Sequence, residues 1–132
     1  MSYQYYNANT KNNFIDDCVI RSISVAEGKT WDETYEELSI LAKREGLLFS
    51  SVPFVENYLD DKYNRTCCKS TKVGDFVRNH PYGIYLITMD GHITCSYYGT
   101  IVDTFDCGNR IMKCAWKVSR WFTFFNGLVA KK

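Results

Sequence analysis

Residues 90–107 read DGHITCSYYGTIVDTFDC. The Asp90–Gly91 pair predicts a two-residue hairpin turn of type I′, which needs positive φ at both positions. β-Branched and aromatic runs follow it, broken by a second turn signal at Tyr98 and Gly99. GIYLITM (83–89) precedes this stretch and RIMKCAWKV (110–118) comes after it, in the same style. Together they predict an antiparallel sheet.

The second turn sets a register. With a loop of two or four residues, Ser96 stands opposite Ile101, Thr94 opposite Asp103 and His92 opposite Phe105. Opposed residues share a face of the sheet, so His92 and Asp103 become diagonal neighbours, roughly 7 to 8 Å apart at the backbone. Asp106 has the opposite parity. A bulge or an odd-length loop would reverse that choice.

Upstream, the periodicity changes from two to three and four. Val19, Ile20, Ile23 and Ala26 predict a helix from about Asp17 to Glu27, with Gly28 as its stop. TWDETYEELSILAKREG (30–46) follows, with Thr30 and Glu33 spaced as a capping box and Gly46 at the end. Its stripe of Trp31, Tyr35, Leu38, Leu41 and Ala42 reads as a packed face. Ser50 or Ser51 caps a third helix that tolerates Pro53 in its first turn and frays at Asp60 and Asp61. A polar loop carries Cys67 and Cys68. Thr71 then caps a short helix through Val77, stopped at His80 ahead of Pro81. Helices first and strands later, without βαβ alternation, define an α+β class.

The first helix opens inside NNFIDDCVIRSIS (12–24). Cys18 falls in its first turn, where unpaired N–H groups and the helix dipole favour a thiolate. The backbone amide of Cys18 is also placed to hold an oxyanion, and Asn12 or Asn13 to complete the hole. Asp16 and Asp17 suit a role as caps through backbone N–H groups. A thiol is a weak nucleophile at neutral pH, and an imidazole held by a carboxylate is what activates it.

The 132 residues carry 16 basic and 15 acidic side chains, a formal charge of +1. One domain is expected at this length: a flexible N-terminus over 1–11, a helical part over 12–80 and a sheet part over 81–125. The charge gives no field for drawing in nucleic acid, and no apolar run approaches a membrane span of roughly 20 residues. A cytoplasmic protein without nucleic-acid or membrane partners is the expectation. Six cysteines (Cys18, Cys67, Cys68, Cys95, Cys107 and Cys114) lack the CxxC or HxxxH spacing of a zinc site. Free thiols are expected, with no metal and no cofactor, and the Asn64–Arg65–Thr66 sequon is discounted.

DCVIRSIS and GHITCSYYGTIVDTFDC together resemble the papain-like cysteine peptidases, specifically their short bacterial and phage members, and more distantly the Josephin-type and bacteriocin-leader branches. The resemblance spans roughly Asn12 to Trp116. It implies Cys18 as nucleophile, His92 as general base and acid, and Asp103 as the orienting residue. It also implies helices bearing the cysteine packed on a sheet bearing the other two, with a peptide or protein substrate in the cleft between. Asn12 stands where the family places a glutamine, six residues before the nucleophile, and is the implied oxyanion donor with the Cys18 amide. The implied chemistry is acyl transfer through a thioester, acting on a peptide or amide bond. His80 is a competing base. The contrasting expectation is an inactive papain-like module of a prophage or mobile element, binding a protein through its cleft or through Trp121, Phe122, Phe124 and Phe125.

Overall fold

A computed structural model describes residues 1–120. It is an α+β structure of four helices and one mixed six-stranded sheet. In chain order the elements are β1 (Ser2–Tyr5), α1 (Cys18–Glu27), α2 (Trp31–Glu45), α3 (Val52–Lys62), β2 (Asn64–Cys67), α4 (Val73–Asn79), β3 (Ile84–Met89), β4 (His92–Tyr97), β5 (Thr100–Asp103) and β6 (Met112–Val118). The sheet order is β1-β5-β4-β3-β6-β2, antiparallel throughout except for the β1–β5 pair.

Two apolar clusters sandwich the sheet. Strand alternation sends Ile84, Leu86, Ile93, Cys95 and Trp116 to one face, where Ile20 and Ile23 of α1, Leu38 of α2 and Phe54 and Leu59 of α3 meet them. Tyr85, Ile87, Met89, Ile101 and Ala115 take the other face, covered by Val73, Phe76 and Val77 of α4. The three longer helices thus lie on one side and the short α4 on the other. Trp116 is fully buried and its indole donates to Asp60 at 2.8 Å, so an apolar anchor also gains a satisfied polar end.

Local chemistry explains the helix limits. Thr30 Oγ1 accepts from the Glu33 amide while Glu33 accepts from the Thr30 amide, a reciprocal cap worth about 1 kcal/mol. α1 and α2 both end on a glycine in the left-handed region, Gly28 and Gly46.

Several expectations need correction. Residues 2–5 are not a flexible tail but an edge strand, running parallel to β5 with Tyr3 beside Ile101. Its largely exposed pattern gave no alternation to read, because backbone pairing suffices to hold an edge. The region expected as a polar loop around Cys67 contains β2, which pairs with β6 across a bulge. α3 continues through Asp60 and Asp61 to Lys62, and α4 starts after Lys72, not Thr71. Cys68 and Cys114 form a disulfide where free thiols were expected. Among the described residues no helix is long and apolar enough to cross a membrane. The aromatic run from Trp121 and the end of the expected sheet part lie outside the described residues.

Candidate active site

His92 opens β4, Asp103 ends β5 and Cys18 opens α1. These ends converge. The β4–β5 loop has two residues, Tyr98 and Gly99, both at positive φ as a type I′ turn requires. Ser96 pairs with Ile101 and Cys95 with Val102. One residue further along, the Thr94 hydroxyl donates to Asp103 Oδ2 at 2.6 Å. His92 Nε2 lies 2.8 Å from the same oxygen. The diagonal pair required by the register is therefore in contact. At Asp90–Gly91 the turn also has two residues, yet only Gly91 has positive φ, so the type I′ form expected there is absent.

Asp103 is 4 % exposed, and five donors reach its carboxylate: His92, Thr94 and, at 4.0 Å, the Cys107 thiol at Oδ2, with Arg21 at 2.9 Å and the Thr104 amide at 2.7 Å at Oδ1. Burial alone would raise its pKa, but the hydrogen bonds from His92 and Thr94 prevail and hold the carboxyl below the usual range. His92 shows the converse. Burial disfavours the imidazolium, yet hydrogen bonding to Asp103, Cys107 and Cys18, together with the charge of Asp103, pushes it up to about 11. The Phe105 ring, 4.8 Å from the imidazole between centroids, packs against it.

Cys18 is half-buried and lines a groove of about 320 Å³ together with His92. Val19, Val55, Met89 and Ile93 give this groove apolar walls. As the first residue of α1, Cys18 has a backbone N–H without a carbonyl acceptor inside the helix. Asp106 instead accepts from the Gly108 amide at 2.9 Å. His80 stacks on Phe76 and bonds its carbonyl, away from the cluster of Cys18, His92 and Asp103.

Asn12 and Asn13 are both exposed, and Asn12 occupies a turn at positive φ, its amide bonded to the Asn9 carbonyl. Neither lines the groove. The asparagine buried near the start of α1 is Asn9, whose amide lies 3.4 Å from Asp17 Oδ2. Asp17 makes no side-chain cap, contrary to the reading of it as one. Its carboxylate is taken by Arg21 Nε at 2.7 Å and Trp31 Nε1 at 2.9 Å, because a charged donor one turn along outcompetes backbone amides.

Sequence reading passed over Arg21 and Cys107. Arg21 stands at the i+4 spacing from Asp17, which is a readable ion-pair signal, but its second partner is 82 residues away. Cys107 is 1 % exposed and its sulfur is 4.0 Å from Asp103 Oδ2. His92, Asp103 and Cys107 offer three donor atoms within 4.8 Å of one another, the grouping among the described residues that could hold a metal ion. Here the shared Asp103 oxygen already accepts from His92, Thr94 and Cys107, and a guanidinium and a backbone amide occupy the other. No protein-family model, curated protein or solved structure matches the chain.

Proposed function

We propose that this protein is a papain-like cysteine hydrolase that cleaves a peptide or amide bond. The observation that carries the reading is His92 held at 2.8 Å by buried Asp103 while it lines one groove together with the half-buried thiol of Cys18. An imidazolium beside a thiol at a helix start favours the thiolate, the reactive form. The thiolate attacks the carbonyl carbon, and the Cys18 amide is positioned to donate to the developing oxyanion. His92 gives its proton to the leaving amine, then takes one from water as the thioester is hydrolysed. Asp103 keeps the ring oriented throughout. The Cys107 thiol lies 4.0 Å from the same Asp103 oxygen, but its burial leaves a substrate no approach.

The test is incubation with a mixed peptide pool, read by mass spectrometry for new termini. Cleavage by the wild type and none by Cys18→Ala supports the reading. No cleavage, together with a Cys18 that alkylates no faster than Cys67, leaves an inactive binding module and overturns it.

A further inference from the structure

We propose that Arg21 is a positioning residue of this site: it locks the nucleophile's helix to the base's carboxylate and offsets the charge of the two aspartates flanking the Cys18–His92 pair. The assignment rests on the reading of Cys18, His92 and Asp103 as an active site.

Arg21 is the fourth residue of α1, one turn after Cys18. Its side chain is 12 % exposed, and those of Asp17 and Asp103 are each 3 % exposed. Nε donates to Asp17 Oδ1 at 2.7 Å, while one terminal nitrogen donates to Asp103 Oδ1 at 2.9 Å and Thr104 Oγ1 at 3.2 Å. Asp17 is covalently next to the nucleophile, and Asp103 is the carboxylate that holds the base. One guanidinium therefore spans the helical layer and the sheet at the place where the nucleophile and base must stay in register. A planar fork can serve two carboxylates in fixed directions, which the point charge of a lysine cannot do.

The charge balance points the same way. Two buried carboxylates near Cys18 oppose formation of a further anion there; the His92 imidazolium offsets one of them and the Arg21 guanidinium the other. By taking Asp103 Oδ1, Arg21 also leaves Oδ2 to His92 and Thr94. A merely structural ion pair would fix the chain without altering how the thiol responds to pH.

The experiment measures iodoacetamide alkylation of Cys18 against pH, by site-resolved mass spectrometry, in folded wild type, Arg21→Met, Arg21→Lys, Asp17→Asn and the Asp17→Asn/Arg21→Met double variant. Arg21→Met is expected to move the acid limb of the profile up by about one pH unit, a roughly tenfold slower reaction at a fixed pH on that limb. The double variant brings the limb back towards wild type, because a carboxylate is lost with the cation. Arg21→Lys falls between. Should Arg21→Met fail to fold, Asp17→Asn carries the test, moving the limb to lower pH. A fast wild-type Cys18 whose limb ignores both substitutions overturns this assignment alone. A wild-type Cys18 no faster than Cys67 overturns the active-site reading and this assignment with it.

Discussion

Helix α1 buries a carboxylate cluster at each end, and the two clusters serve different ends. At its last residue Glu27 is 6 % exposed and accepts from Tyr63 at 2.7 Å, Tyr58 at 3.0 Å and Lys62 at 3.0 Å, with Lys29 at 3.5 Å. Burial would raise its pKa, yet Lys62 and Tyr63 hold the carboxyl below the ordinary range. Every partner is a donor, and the groups tie α1 to α3 and the residue after it. At the first turn, by contrast, Asp17 and Asp103 share Arg21, and Asp103 holds an imidazole that lines a groove with the Cys18 thiol. Burial and hydrogen bonding of a carboxylate are common to both. What separates them is an imidazole and a thiol that line one groove. The Glu27 cluster is a staple, and the Asp103 cluster holds the groups that the proposed reaction needs.

Substitutions should break the comparison at one end at a time. The largest effect is expected from Cys18→Ala, which abolishes peptide cleavage, and His92→Ala, which lowers its rate by about 10²–10⁴-fold. Cys18→Ala leaves thermal unfolding within a few degrees of wild type, whereas His92→Ala also lowers it, because buried Asp103 loses a donor. Either variant retaining full activity would remove the site.

Asp103→Asn comes next. NMR of the His92 ring should show no titration from pH 5 to pH 9 in the wild type, consistent with a value near 11 against the ordinary 6.5. In Asp103→Asn the imidazolium loses its main partner and burial takes over, so the ring should titrate at or below 6.5. The sign for stability follows. Because the folded-state value is raised, the contribution of His92 is complete below pH 6.5 and fades as pH climbs towards 11, and unfolding temperatures across that window should register the decline in the wild type only. An unchanged titration would show that Asp103 does not hold the ring.

At the other end Tyr63→Phe removes a donor from buried Glu27. It should cost about 1–3 kcal/mol in denaturant unfolding while leaving Cys18 alkylation unchanged. If the alkylation rate falls instead, the two ends are coupled. The smallest effect is expected from a chelator. EDTA should leave peptide cleavage unaltered, since the proposed chemistry routes no step through a metal. Inhibition reversed by zinc would point to a metal at His92, Asp103 and Cys107 instead.

The contrast also marks what could be read from residues alone. The pairing of Ser96 with Ile101, and hence the diagonal contact of His92 with Asp103, was legible because strand alternation and a two-residue turn leave few registers. The Thr30 capping box was legible because its partners are three residues apart. Arg21 was not, because its bond to Asp103 exists only after helix and sheet have packed. The same holds for Cys68 and Cys114, 46 residues apart. The edge strand over 2–5 lacks any pattern of its own, and Asp17 looked like a cap because nothing local shows that Trp31 and Arg21 compete for it. Asn12 matched a position in a family pattern, whereas the local turn at Asn9 directs it outward.

The central claim is that His92 activates Cys18. Its most direct test is the rate of iodoacetamide alkylation of Cys18, resolved by site at neutral pH, relative to the free thiols Cys67, Cys95 and Cys107 in wild type and His92→Ala. Activation predicts Cys18 to react far faster than the others in the wild type and to lose that advantage in the variant. Equal, slow reaction at all four sites, or a fast Cys18 indifferent to His92, would contradict it.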